Sequence, residues 1–422
     1  MHRIHFPARL TRLIGGFSFV LVLFSCAAAP ASPQPSRDSL PSAVSPNEVL
    51  PWSERMARSI MKRAPESWMN DFQDDLKWTY TIGLVLNSMI EVSEAYEEPQ
   101  YFEYARAYGD TMINANGEIH GYEMEKFNID MIAPGPLVFS LYQKTGEAKY
   151  RKAIETLATQ MKWQPQTTEG GYWHKLRYPW QMWLDGLFMG EPFQAQYAVR
   201  YDRPDMFDHV VDQFILAEKH MRDPDTGLLY HGWDESRVQR WANDETGTSK
   251  HFWGRAMGWY VMGLVDVLDY LPEDHPRRQE LIGLLLRTLE AVLEVRDPET
   301  KVWYQVLNYP DREGNYLEST GSTMFVYAMI KGANEGYLPD AYRAAAEESW
   351  EGVLDTFVRE DPSGEIHLTM GCSVAGLGGD PYRDGSYAYY ISEPVRDNDP
   401  KGIGPFMRAA LQFELAKEGS KR

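Results

Sequence analysis

A chain of 422 residues carrying a formal net charge of -19 repels the phosphates of nucleic acid, so nucleic acid is excluded as a partner. Its 43% hydrophobic and 24% charged residues are close to globular averages and exclude a disordered chain. The length permits two or three domains, but large barrels of this size also fold as one.

At the N-terminus, a basic segment with Arg3, Arg9 and Arg12 precedes an apolar run from Leu13 to Phe24, followed by Ser25 and Cys26. Residues 1–25 read as a secretory signal, too short to span a membrane stably. Leu23-Phe24-Ser25-Cys26 resembles the lipobox of bacterial lipoproteins, which implies an exported protein lipidated on Cys26 and held at a periplasm-facing or outer membrane by that anchor alone. Ordinary cleavage near Ala27 to Ala29, giving a soluble periplasmic or secreted protein, is the alternative. Residues 26–51 are rich in Ala, Ser and Pro and read as a flexible tether. The only other cysteine is Cys372, so no internal disulfide is expected and stability must come from a large core.

From Trp52 the pattern is helical, with amphipathic runs at Ile82 to Tyr96, Tyr101 to Ile113 and Leu281 to Val295. A phrase recurs between helices: a tight turn, a few strand-like residues, then a glycine-bearing aromatic stretch that opens the next helix. Asp223-Pro-Asp-Thr-Gly227, Asp297-Pro-Glu-Thr300 and Asp361-Pro-Ser-Gly364 are such turns, in which Pro presets φ and Asp bonds the backbone two residues on. Helix openings are expected near Trp78, Asp130, Asp185, Arg255, Thr320 and Pro405. Six helical hairpins with apolar inner members predict an all-α fold, an (α/α)6 barrel with short β-hairpin turns at the rim. The catalytic domain is read as residues 52–418, with 419–422 as a tail. An open solenoid is the alternative. Closure is favoured because the openings, rather than the helix middles, hold the polar and aromatic residues.

Four stretches are loaded. Asp185 sits inside the apolar wall Tyr178 to Gly190, preceded by Trp173-His174-Lys175, and Asp130 is a second isolated acid at a helix start. His231-Gly-Trp233-Asp234 precedes the fourth opening, and Trp253-Gly-Arg255-Ala-Met-Gly-Trp259 places an Arg between two tryptophans, where a guanidinium can stack while pairing with an anion. Each has a plain structural alternative: Asp185 as a helix cap, the histidines as satisfied hairpin residues, Arg255 as an ion-pair partner of Asp130 or Asp185, and the tryptophans as core. No metal-ligand spacing, P-loop, nucleophile elbow or dinucleotide fingerprint is present, so neither metal nor cofactor is expected. The late segment Tyr382 to Glu393, aromatic and polar, either closes over a ligand or packs the sixth pair.

Trp183-Leu-Asp-Gly-Leu-Phe-Met-Gly190, His231-Gly-Trp-Asp234 and Phe252-Trp-Gly-Arg-Ala-Met-Gly-Trp259, in this order, resemble glycoside hydrolase family 105, the unsaturated rhamnogalacturonyl hydrolases, with the unsaturated glucuronyl hydrolases of family 88 more distant. The resemblance implies the six-pair barrel and removal of a terminal 4,5-unsaturated uronic acid from oligosaccharides made by polysaccharide lyases. It implies Asp185 as general acid/base, Asp130 as the second essential carboxylate, His231 as the residue that binds substrate and places water, and Trp253, Arg255, Trp259 and His174 as the lining of the sugar subsite. Trp233, in the same phrase as His231, is expected to bind substrate with it. Ala256-Met257 departs from the usual family pair, which touches specificity rather than reaction. In the implied mechanism C4 of the enol ether is protonated, water adds at C5, and the hemiketal opens to expel the aglycone. That role needs an Asp185 pKa near working pH, and burial together with repulsion from Asp130 is expected to raise it. A lyase on the same barrel and a glycan-binding lipoprotein are the competing readings.

Overall fold

The computed structural model describes residues 50–419. The signal, Cys26, the tether up to residue 49 and the last three residues lie outside the described residues.

In chain order the elements are α1 (Trp52–Arg63), α2 (Tyr80–Tyr96), α3 (Pro99–Met112), α4 (Gly135–Thr145), α5 (Ala148–Trp163), β1 (Gln181–Trp183), α6 (Leu184–Arg200), α7 (Phe207–Met221), β2 (Gly232–Asp234), α8 (Gly254–Leu268), α9 (Arg278–Glu294), α10 (Ser319–Asn334) and α11 (Ala341–Phe357). They are followed by β3 (Val358–Glu360), β4 (Ile366–Leu368), β5 (Gly371–Cys372), α12 (Tyr387–Ser392), β6 (Val395–Arg396) and α13 (Pro400–Gly419). Helices α2, α4, α6, α8, α10 and α13 each pack on the next, and α13 returns to α2 to close a ring. The barrel is therefore closed, and the solenoid alternative falls.

Burial separates the two layers. Every residue of α8 is buried, as is α10 up to Ala333, because these helices are surrounded on all sides. Outer helix α5 buries only Tyr150, Ala153, Ile154, Leu157, Gln160 and Met161, a stripe at helical spacing with charged residues opposite. Where α10 crosses α8, a Cβ on Gly321 would come within 3.0 Å of the Gly254 carbonyl carbon, so this crossing requires glycine.

The Asp-Pro turns form as their chemistry dictates. Asp223 accepts from the Thr226 amide at 2.9 Å, Asp297 from Thr300 at 2.8 Å and Asp361 from Ser363 at 2.8 Å. Tyr230 and Tyr304, seven residues on, donate their hydroxyls back to Asp223 and Asp297, so the repeats match in detail.

Two expectations are corrected. The sixth pair is not a hairpin: the outer partner of C-terminal α13 is N-terminal α1, and the Ser53 amide and hydroxyl both donate to Glu414. The last inner helix starts at Pro400 rather than at Pro405, which lies inside it. Pro400 occupies the first helical position, where a missing N–H is harmless, and Asp399 accepts from the Lys401 amide at 2.9 Å.

Candidate active site

Short extended segments tie the second, third and fourth openings together. The Ile129 amide donates to the His174 carbonyl at 3.2 Å, the His174 amide to Gln181 at 2.8 Å, and the Leu184 amide to His231 at 3.1 Å. Strands β1 and β2 pair antiparallel with Trp183 opposite Gly232. This backbone ladder carries Asp130, His174, Asp185 and His231 to one place from positions up to about a hundred residues apart in sequence.

The two acids occupy unlike surroundings. Asp130, in the 3-10 turn Ile129–Met131, meets His174 Nε2 at 3.2 Å and receives the Lys175 ammonium on its other oxygen. Burial alone would raise its pKa, but Lys175 and His174 outweigh burial and hold it well below the usual carboxylate range. Asp185, in the first turn of α6, meets His231 Nε2 at 3.2 Å, a close contact that lacks the alignment of a hydrogen bond. His231 is fully buried and its Nδ1 lies 2.8 Å from the Tyr390 hydroxyl.

The expected rise in the Asp185 pKa is not found. Burial does push it up, and Asp130 adds to that push, but His231 and His174 together outweigh them and the net direction is down. Burial lowers the His231 pKa as well, only partly offset by Asp185. At neutral pH the pair is thus a carboxylate beside a neutral imidazole. As pH falls, the imidazole charges and holds the carboxylate ionised further down.

The aromatic walls follow from the same ladder. The Trp183 ring stacks on His174 with centroids 4.6 Å apart and meets His231 edge-on at 5.5 Å. Trp253 lies 4.7 Å from the His231 ring and donates its indole N–H to Gln305. Arg255, only 1% exposed, stacks its guanidinium over Trp253 at 4.6 Å and donates to the Cys372 carbonyl and the Thr320 hydroxyl. It pairs with neither Asp130 nor Asp185. Burial works against its charge, but Cys372, Asp399 and Glu318 outweigh burial, and its Nε is buried without a hydrogen-bond partner. Trp259 packs between Phe188 and Tyr80, with centroids 4.7 and 6.2 Å away.

Trp233 is not brought to this cluster. Its ring stacks on His220 of outer helix α7 at 3.8 Å and its indole donates to the Thr246 carbonyl, so it fastens the β2 strand to the wall behind the site. Sequence reasoning left Lys175 and Tyr390 without roles. The late segment does close on the site: Tyr390 reaches His231, and Arg383 lies over Trp183 at 5.8 Å while donating to Tyr178. Among the described residues, the grouping with metal-ligand spacing is Asp361, Glu365 and His367, turn residues already paired with Lys62 and Asn398. Among them too, no helix is long and apolar enough to cross a membrane.

Comparison with known proteins agrees with this geometry. The family model described as Glycosyl Hydrolase Family 88 matches residues 52–416. A solved family 105 glycoside hydrolase from C. acetobutylicum ATCC 824 superposes with a TM-score of 0.84 at 44% identity, covering 87% of this chain and all of that one. Protein Atu3128 of Agrobacterium fabrum is 40% identical over 233 residues, 54% of this chain and 99% of its own length. The unsaturated rhamnogalacturonyl hydrolase YesR of Bacillus subtilis is 26% identical over 318 residues, 74% of this chain and 84% of its own. A match over nearly the whole barrel, joined to a 44% identical family 105 structure, places the chain in the glycoside hydrolase family 88 and 105 group.

Proposed function

We propose that this glycoside hydrolase removes the terminal 4,5-unsaturated uronic acid from lyase-generated oligosaccharides in which the uronate is linked to rhamnose, of rhamnogalacturonan or ulvan type. The observation that carries the reading is the contrast between the two acids: Asp130 is locked as an anion by Lys175 and His174, while Asp185 shares its position with a single titratable partner, His231. Two carboxyls in environments that separate their roles suit a reaction with one proton donor and one fixed charge.

Substrate supplies the remaining upward push on the proton affinity of the pair. A uronate carboxylate entering beside Asp185 adds negative charge and expels water, and both effects raise the proton affinity of the Asp185–His231 pair. The pair then delivers its proton to C4. Asp185, once more a carboxylate, accepts a proton from the water that adds at C5, and the hemiketal opens to release the aglycone. Arg255, charged, buried and backed by Trp253, is placed to hold an anionic group of the sugar.

The testing assay incubates the purified protein with rhamnogalacturonan-lyase and ulvan-lyase products and follows the ultraviolet absorbance of the conjugated double bond. Hydration consumes the double bond and absorbance falls. A rise on intact polysaccharide would identify a lyase, and binding without change on either panel would identify a glycan-binding protein. The Arg255→Ala variant is expected to raise KM about tenfold or more with a smaller change in kcat, because a charged hydrogen bond to bound substrate is lost. Unchanged kinetics would remove Arg255 from the site. The lipobox-like segment supports export with an anchor on Cys26, and radiolabelled palmitate incorporation lost in Cys26→Ser tests that reading.

A further inference from the structure

His231 is enclosed by groups from β1, α6, α12 and the residue preceding α8, and the contact at its far nitrogen is the shorter of its two polar contacts. Nε2 faces Asp185 at 3.2 Å, while Nδ1 faces the Tyr390 hydroxyl of α12 at 2.8 Å. Tyr390 is itself fully buried. Its carbonyl accepts from Gln305 Nε2 at 3.1 Å, the same side chain takes the Trp253 indole proton at 3.0 Å, and its ring stacks on Trp253. The hydroxyl therefore has a fixed position and one evident partner.

We propose that Tyr390 is a positioning residue for the hydration reaction, its hydroxyl holding His231 through Nδ1 in both protonation states through which the Asp185–His231 pair passes. The proposal rests on the reaction assigned above. A tyrosine hydroxyl carries one donor and two acceptor lone pairs and rotates to suit its neighbour. When the pair holds no extra proton, the hydroxyl donates to Nδ1. The neutral imidazole must then carry its one proton on Nε2, the nitrogen 3.2 Å from the Asp185 carboxylate. When the pair holds the proton to be delivered, Nδ1–H donates to the tyrosine oxygen instead, and the Nε2 proton can pass to Asp185.

The atoms balance over a cycle. The Nε2–H bond breaks as an O–H bond forms on Asp185. That proton passes to C4, with the electron pair of the double bond forming the C–H bond. Water adds its oxygen to C5 and gives a proton back to Asp185, which returns it to Nε2. The sum is one water added, with Tyr390 unchanged. Phenylalanine can serve neither state.

The charges around His231 sharpen the role. Asp185 of α6 favours imidazolium, whereas Arg383 of the late loop and His174 of the β1 approach oppose it. Tyr390, backed by Tyr389 and near Asp384, presents only its neutral hydroxyl. An acceptor for Nδ1–H is therefore the remaining support for the charged ring on that side.

The test is Tyr390→Phe in the full chain. Its kcat on the lyase product is expected to fall about tenfold or more, with KM within about twofold of wild type, because the group acts on proton delivery rather than on binding. The alkaline limb of the kcat–pH profile should move to lower pH by about one unit, since the hydrogen bond to the charged imidazolium is the stronger of the two and its loss weakens the protonated pair more than the unprotonated one. A folded Tyr390→Phe variant with an unshifted limb overturns the proposal, as a purely packing tyrosine would change stability and leave the limb in place. A second measurement needs no variant: with 15N-labelled histidine, wild-type His231 at neutral pH should show the Nε2–H tautomer. An Nδ1–H tautomer in the free enzyme overturns the proposal even if Tyr390→Phe does not fold. If the wild type consumes no lyase product, the assigned reaction fails while the tautomer measurement still decides the His231–Tyr390 arrangement.

Discussion

The Asp185→Asn protein is expected to fold and to lose roughly three orders of magnitude in kcat, the scale set by removal of a general acid. The amide keeps the shape of the carboxylate and can still face His231, but it has no proton to give C4 and no basic oxygen to take one from water. The structural penalty is small because the described contacts of the carboxylate are few, chiefly His231 at 3.2 Å. The sign of the pKa shift agrees. A carboxyl whose pKa is depressed on folding contributes stability above its unfolded value and loses it as pH falls through the folded value, so the neutral amide forgoes that contribution. A core of this size absorbs such a loss. Asp130→Asn behaves differently in stability, because it strips the partly buried Lys175 ammonium of its anion. The decisive comparison is kcat from absorbance loss together with thermal midpoint for Asp185→Asn. Residual kcat above about a tenth of wild type, far more than loss of a general acid leaves, would dismiss Asp185 as the proton donor.

What the sequence disclosed and what it hid divide along the range of the interactions. The openings at Trp78, Asp130, Asp185, Arg255 and Thr320 were legible because Asp-Pro turns, glycines and apolar periodicity act within a few residues, and inner helices begin within about a turn of each one. The sixth pair was not, because the Ser53–Glu414 contact joins residues 361 apart and neither end names the other. The same boundary runs through the site. Asp130, His174, Asp185, His231 and Arg255 stand in distinctive phrases and the barrel gathers them. Lys175 had the signal of adjacency to His174, but that both would reach one carboxylate depends on the Asn128–Lys175 bridge between separate repeats. Tyr390 is one of three tyrosines between Tyr387 and Tyr390, with no local reason to prefer it. Trp233 shared the His231 phrase yet turned to His220, a partner on the α7 helix that only the fold could supply. The Asp185 pKa was the deepest miss. Burial and Asp130 were anticipated with the right signs, and what reversed the sum was the His231 contact, which composition does not contain.

Asp266→Ala should have the opposite profile to Asp185→Asn, with stability lost and chemistry kept. Asp266 lies in the last turn of α8, eleven residues beyond Arg255, which at 1.5 Å per residue places it about 16 Å down the helix from the site. There it accepts from Lys331 of α10 at 2.8 Å, Arg408 of α13 at 2.7 Å and the Tyr327 hydroxyl at 2.7 Å, all in the buried interior. Arg408 continues to Glu91 of α2, so one chain of ion pairs staples four of the six inner helices, including the α13–α2 contact that closes the ring. Burial alone would raise the Asp266 pKa, but Arg408 and Lys331 bring it down to about 2. Its contribution is therefore complete at neutral pH and is lost as acid titrates it between the ordinary Asp value, about 3.9, and that depressed one. Alanine leaves two buried cations short of an anion. Because Glu91 still holds Arg408 and Asp269 still holds Lys331, the loss falls at the lower end of the range for a broken buried pair, about 3 kcal/mol. The expected result is a lower urea midpoint with kcat and KM at 25 °C within about twofold of wild type, since the sites are too far apart to couple directly. An unchanged midpoint would show that the network adds nothing to barrel closure, and a fall in kcat matching the fall in stability would show that the far end of the barrel shapes the site after all.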